Sequence, residues 1–228
     1  MTLYWPLILP ALALALLASW LTRSTFNKYS RFRASSGLTG AEAALRLLKN
    51  AGVAGVTIQV AHGFLSDHYD PRNRTLNLSP EVYRSPSLAA IGVACHEAGH
   101  AIQHAQLYGP LKLRTDLVPA QMLGSQLAYP LFFAGMIMHS PPLLKVGVAL
   151  FSLAVLFALI TLPVEWDASA RAKRLMVSAG IVTAQERSGA ARVLNAAFLT
   201  YLAGAVMAVM QLLRLLMQSG LLGGRSRD

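Results

Sequence analysis

Apolar and polar positions alternate along this chain in long blocks. Four runs, residues 3–21, 118–138, 143–162 and 193–217, are dominated by Leu, Ala, Val, Met and Phe. About 20 such residues cross the hydrocarbon core of a bilayer, so each run predicts a transmembrane helix. The linker His139-Ser140-Pro141-Pro142 joins the second and third runs and predicts a tight hairpin. Arg214 lies near the end of the last run, where its stem can carry the charge to the interface.

The polar blocks have their own periodicity. Thr39-Gly40-Ala41-Glu42 is a capping box that opens a helix ending near Asn50-Ala51-Gly52, with Ala44, Leu45 and Leu48 expected on its packed face. Val56-Thr57-Ile58-Gln59-Val60 alternates as a strand does, and Thr75-Leu76-Asn77-Leu78 is a second short strand. The residues between them, Asp67-His68-Tyr69-Asp70-Pro71-Arg72-Asn73, are rich in turn formers and predict a turn. Ser85 as N-cap and Pro86 at the first helical position open a further helix that continues to about Gln106, and Gly109-Pro110 is expected to end it.

Composition agrees with a membrane protein: hydrophobic residues make up 54% of the 228 positions and charged residues only 13%, against about 25% in soluble domains. The net charge of +10 therefore reads as orientation of membrane segments rather than as a nucleic-acid surface, since no basic stripe with interleaved aromatics is present. Arg23, Lys28, Arg31 and Arg33 follow the first run, and Arg171, Lys173, Arg174, Arg187 and Arg192 lie between the third and fourth. By the positive-inside rule both segments face the cytoplasm, with the first run acting as an uncleaved anchor and the N-terminus outside. Arg225 and Arg227 fall on the other side and count mildly against this. Tyr4, Trp5 and Trp20 mark the ends of the anchor as interfacial aromatics. The single cysteine, Cys95, excludes an intrachain disulfide and any CxxC metal site.

The chemistry lies in His96-Glu97-Ala98-Gly99-His100, an HExxH sequence. Two imidazoles four residues apart share one helix face and can bind one Zn²⁺, while the adjacent glutamate can act as general base toward a water molecule. A catalytic zinc takes three protein ligands and keeps one position open. His62, His68, His104, His139 and the acidic residues on the same side are candidates for the third. His104 lies about 12 Å along a straight helix from His96, too far to close the site unless the helix breaks after His100. Glu165 is the stronger candidate, because it follows the third apolar run on the side where the HExxH helix belongs. An HExxH motif followed, after two apolar crossings, by a helix-borne glutamate is the gluzincin pattern.

Several stretches together resemble the YugP-type neutral zinc metallopeptidases, a prokaryotic membrane family related in pattern to the HtpX-like and CAAX prenyl proteases. They are Leu38-Thr39-Gly40-Ala41-Glu42, Asp67-His68-Tyr69-Asp70-Pro71, His96 to His104, Thr161 to Ser169, and Ala196-Ala197 with Leu199-Thr200-Tyr201. Cys95 and Trp166 depart from the residues expected there, alanine and phenylalanine. HtpX-like and CAAX proteases carry Glu-x-x-Ala-Asp where this chain has Glu165-Trp166-Asp167-Ala168-Ser169, which leaves open whether Asp167 or Ser169 orients a ligand histidine.

The resemblance implies a membrane-bound zinc endopeptidase acting near the cytoplasmic face of the prokaryotic plasma membrane on a peptide or membrane-protein substrate. His96, His100 and Glu165 are expected to hold the zinc, and Glu97 to move the proton. His68, Tyr69 and Tyr201 are candidate donors to the oxyanion. The expected layout is an anchor (1–22), a cytoplasmic segment with the sheet and the HExxH helix (23–117), a transmembrane hairpin (118–163), a short helix with the third ligand (164–192), a last transmembrane helix (193–217) and a loose tail (218–228). In fold class this is a mainly α membrane protein with about four transmembrane helices, a zincin-like metal helix and a small β-sheet. Two alternatives compete: a non-proteolytic zinc-binding scaffold, and a site-2-type intramembrane protease. The second lacks the Asp-Gly pair that such enzymes carry in an apolar run. The chain gives no signal for an oligomeric state.

Overall fold

The structure, a computed structural model, describes residues 5–61 and 67–222. Expectations for Tyr4, the Trp5 side chain, His62 and the last six residues therefore lie outside the described residues. Helices dominate: α1 (Trp5–Tyr29), α2 (Gly40–Asn50), α3 (Pro80–Arg84), α4 (Leu88–Ala105), α5 (Gly109–Ile137), α6 (Pro141–Ser178) and α7 (Arg187–Gln218). Three short strands, β1 (Thr57–Val60), β2 (His68–Asp70) and β3 (Thr75–Leu78), form one sheet in the order β1-β3-β2. The chain divides into two compact units. We call residues 18–112 with 164–200 the sheet unit, and residues 1–17, 113–163 and 201–228 the hairpin unit.

In the sheet unit, α2 starts at the predicted capping box: the Thr39 hydroxyl accepts from the Glu42 amide at 3.3 Å, and the Glu42 carboxylate accepts from the Thr39 amide at 2.8 Å. Its packed face is Ala41, Ala44, Leu47 and Leu48, whereas Leu45 is 57% exposed. Leu45 sits about 100° round the helix from Ala44, on the solvent side of the stripe that Ala41 begins. The segment expected as a plain turn contains β2, which pairs antiparallel with β3, Tyr69 opposite Leu76. The turn is compressed into residues 70–73, where the Asp70 carboxylate accepts from the Arg72 amide at 2.9 Å and from Asn73 Nδ2 at 2.7 Å. β1 runs parallel to β3 on the other edge.

The helix that carries HExxH starts later than its sequence suggests. Ser87, not Ser85, caps α4, accepting from the Ala90 amide at 3.2 Å. Ser85 ends α3 and donates to the Ser87 hydroxyl, and the Pro86 carbonyl accepts from the Ala34 amide at 2.9 Å. Those bonds hold residues 85–86 extended. Gly109 likewise begins α5, because α4 closes at the Gln106 cap. Of the 18 residues of α4, 14 are buried, so it is the central helix of its unit.

The hairpin unit has an apolar core around Ala128, Phe132, Val148, Phe151, Val155 and Leu215. A Cβ on Gly124 would lie 2.7 Å from the Leu150 carbonyl oxygen, so α5 and α6 pack backbone to backbone, as membrane helices do at small residues. Residues 164–178 extend α6 through Pro163 rather than forming a separate helix.

Among the described residues three helices are long and apolar enough to cross a membrane: Pro6–Tyr29, Pro141–Ser178 and Arg187–Gln218. The run 118–138 is helical within α5, but Gln121, Ser125, Gln126 and Pro130 dilute its apolar character.

Candidate metal centre

Three side chains that could hold a metal ion converge within the sheet unit. His96 and His100 come from successive turns of α4, and Glu165 from α6. His96 Nε2 lies 3.1 Å, and His100 Nε2 3.5 Å, from the same oxygen, Glu165 Oε2. One ligand atom from each residue falls within 4.8 Å of the other two. The imidazoles meet edge to face with centroids 4.8 Å apart. Glu165 is only 2% exposed and His100 7%.

Gly99 is what lets the two helices approach. A Cβ at position 99 would sit 2.7 Å from the Ala168 carbonyl oxygen, well inside contact distance. Any larger residue would push α6 away and take Glu165 with it.

The outer nitrogens of both histidines are engaged. His100 Nδ1 lies 3.0 Å from Gln103 Oε1. The Gln103 amide nitrogen donates to the Val164 carbonyl at 2.9 Å and to Asp167 Oδ2 at 2.8 Å. Both of those are acceptors, which fixes the orientation of the amide. Its oxygen must then accept, so His100 Nδ1 carries a proton and Nε2 turns toward Glu165. Ser169 Oγ lies 3.1 Å from His96 Nδ1 and performs the same service there. Asp167 also accepts from Arg171, which in turn donates to Gln106, so a polar chain runs between α4 and α6. The open question between Asp167 and Ser169 resolves into a division: Ser169 contacts His96, and Asp167 reaches His100 through Gln103.

Burial alone would lower the His100 pKa, but the hydrogen bond and charge of Glu165 and the charge of Glu97 outweigh it and raise the pKa. Two nitrogens, each on a histidine held by an oriented partner, and one carboxylate oxygen are the donor set of a three-protein-ligand zinc site. The residues present therefore fit the ion.

Glu97 is 9% exposed. Its charge acts on His100 and also contributes to raising the Asp67 pKa, where burial is the larger cause and hydrogen bonds from Ser79 oppose it. Asp67 accepts from the Ser79 amide at 2.8 Å, fastening the start of β2 to the start of α3.

The remaining candidates are placed as follows. His68 Nε2 lies 3.2 Å from Asn77 Nδ2, and Asn77 Oδ1 accepts from Gln59 at 2.7 Å, a polar row across all three strands. The Tyr69 hydroxyl lies 2.9 Å from His104 Nδ1, so these two residues pin β2 to the last turn of α4. Tyr201 is 39% exposed on α7 and belongs to the hairpin unit. Cys95 is fully buried, and burial pushes its thiol up to about 12.

Gln103 is the residue that sequence reasoning missed. It lies three positions after His100, on the same helix face, and that spacing was the available signal.

Comparison with known proteins adds a family. Residues 4–220 match a family described as "putative neutral zinc metallopeptidase". A protein of Bacillus subtilis (strain 168), named "putative membrane protease YugP", is 46% identical over 211 residues, covering 92% of this chain and 94% of that one. No solved structure matches.

Proposed function

This chain belongs to the putative neutral zinc metallopeptidase family, and from that premise we propose that it is a membrane-bound zinc endopeptidase whose site is His96, His100, Glu165 and Glu97. The observation that carries this reading is the convergence of both HExxH imidazoles on one buried oxygen of Glu165. Bound zinc supplies Lewis acidity, polarising a carbonyl and making water a better nucleophile at neutral pH.

The chain's own residues do the rest. Glu97 takes the proton of the attacking water and returns it to the leaving amine. Gln103 and Ser169 hold the imidazoles with their Nε2 atoms facing Glu165. Tyr69 and His68, which lie in the same unit as the metal ligands, are the candidate donors to the oxyanion. Among these, Tyr69 has the strongest link to α4, through His104.

The reading includes orientation. Thr22 on α1 donates to the Ala196 carbonyl on α7 at 2.8 Å, and the Ser36 hydroxyl to the Ile181 carbonyl at 2.7 Å. The C-terminal ends of α1 and α6 and the start of α7 thus share one side. If α1 and α6 both cross, the chain must return between residues 30 and 140, and α5 is the long helix available. This supports a fourth crossing. The basic residues of both segments lie on the side of the metal ligands, which supports a cytoplasmic site in the plasma membrane.

The test is cleavage of a peptide library by the detergent-purified protein and by Glu97→Gln. The expected result is a loss of roughly 10²–10⁴-fold with bound zinc retained. Undiminished cleavage by the variant would overturn the assignment, and the absence of zinc-dependent cleavage by the native protein would favour the scaffold.

A further inference from the structure

A cavity of about 610 Å³ lies in the sheet unit, between the C-terminal half of α1, Trp166 on α6 and the first turns of α7. Its lining is mostly apolar, with Leu21, Trp166, Phe198 and Leu199, and includes Ser24, Thr25 and Asn195. Two cations, Lys28 and Arg192, line it, and among the described residues that line it there is no aspartate or glutamate. Arg192 Nη1 donates to the Tyr29 hydroxyl at 3.2 Å, which holds the guanidinium at that end. A third cation, Lys173, donates to the lining residue Asn195 at 3.0 Å and lies over the Trp166 ring at 5.4 Å.

The position is as informative as the chemistry. Lys28 is in the last turn of α1, and Arg192 lies near the start of α7, two helices apolar and long enough to cross a membrane. That is the level at which phospholipid head groups meet protein. Trp166 is 57% exposed and meets Phe198 edge-on at 5.2 Å, as an interfacial aromatic does.

We propose that this cleft binds one anionic phospholipid, its phosphate between Lys28 and Arg192 and an acyl chain along Leu21, Phe198 and Leu199. A zwitterionic lipid would bring an ammonium to a lining with no carboxylate among the described residues to receive it. A free phosphate would match the two cations and leave the apolar side chains of the lining in contact with water. Because Trp166 directly follows Glu165, an occupant of the cleft also packs against the turn of α6 that presents the third ligand. The proposal does not depend on hydrolytic activity.

The experiment uses the full chain in detergent with Trp5→Phe and Trp20→Phe, leaving Trp166 as the fluorophore. Phosphatidylglycerol or phosphatidylcholine with brominated acyl chains is titrated in, and quenching is read. Phosphatidylglycerol should half-quench at a mole fraction roughly tenfold lower than phosphatidylcholine. Lys28→Gln with Arg192→Gln should bring the two lipids together, Arg192→Lys should keep most of the preference, and Lys49→Gln on α2 should change nothing. If the double variant does not fold, Lys28→Gln alone, at an exposed position, should still narrow the gap several-fold. Equal quenching by both lipids would overturn the proposal. So would an unchanged preference in Lys28→Gln, relief of quenching by millimolar inorganic phosphate alone, or relief by an apolar peptide but not by unbrominated phosphatidylglycerol.

Discussion

The two units use the same contact for different ends. In each, a glycine brings one helix backbone against another at the same distance: Gly99 against Ala168 in the sheet unit, Gly124 against Leu150 in the hairpin unit, both 2.7 Å for an added Cβ. What surrounds the contact differs. Of the buried polar residues described, Asn77, Ser79, Ser87, Glu97, His100, Gln103, Glu165 and Ser169 belong to the sheet unit, and only Thr161 to the hairpin unit. In the hairpin unit close packing serves only cohesion, and two buried side-chain atoms, Gln211 Oε1 and Arg214 Nε, have no hydrogen-bond partner among the described residues. In the sheet unit close packing sets the position of a carboxylate. The lesson is that the candidate metal centre is a helix-packing arrangement: α4 offers two side chains that could hold a metal, and how near α6 can lie decides whether there is a third.

The sharpest way to break this comparison is to perturb both contacts alike. Gly99→Ala should abolish stoichiometric zinc binding, because α6 must move by more than a coordination bond tolerates. Gly124→Ala should lower the unfolding temperature by several degrees and leave zinc content near that of the native protein. Zinc titration and thermal unfolding of the two variants side by side would check it. Equal zinc loss in both would mean that the units do not divide the labour in this way.

A smaller effect is expected from the residues that orient the ligands. Gln103→Ala leaves His100 Nδ1, the Val164 carbonyl and Asp167 without this partner in a buried setting, where each unsatisfied group costs about 1–3 kcal/mol. Zinc affinity should fall by roughly 10–100-fold. Ser169→Ala removes one bond to His96 and should cost about tenfold, while Ser169→Asp should hold or raise affinity by accepting the His96 proton more strongly. Competition with a chelating indicator measures all three.

The smallest effect concerns Cys95, one residue before the first ligand yet turned into the core. Burial pushes its pKa up to about 12, which keeps the thiol protonated at pH 8. An alkylating reagent at pH 8 should leave the folded protein unlabelled and label it fully in denaturant, with labelling read by mass spectrometry.

How much of this was legible in the sequence follows from the range of each interaction. The HExxH pair and the Thr39 capping box are set by neighbours within one helical turn, so spacing alone revealed them. Glu165 was reached by following the order of the apolar runs along the chain, a long-range argument that needed only a side and not a distance. β2 was hidden because Asp70-Pro71-Arg72-Asn73 dominates the local signal, while its pairing with β3 is tertiary. The shift of the α4 cap to Ser87 depends on the bond between Pro86 and Ala34, which no local pattern carries. The role of Gln103 was obscured for the same reason: two of its three partners, Val164 and Asp167, lie on another helix.

The central claim is that a glutamate from α6 completes the site begun by HExxH on α4. Zinc per chain in Glu165→Ala, measured by elemental analysis after equilibration with a buffered micromolar excess, tests it most directly. The account predicts about one zinc in the native protein and less than about a tenth of that in the variant, with helical content unchanged by circular dichroism. A folded Glu165→Ala protein that still holds one zinc at native affinity would contradict it.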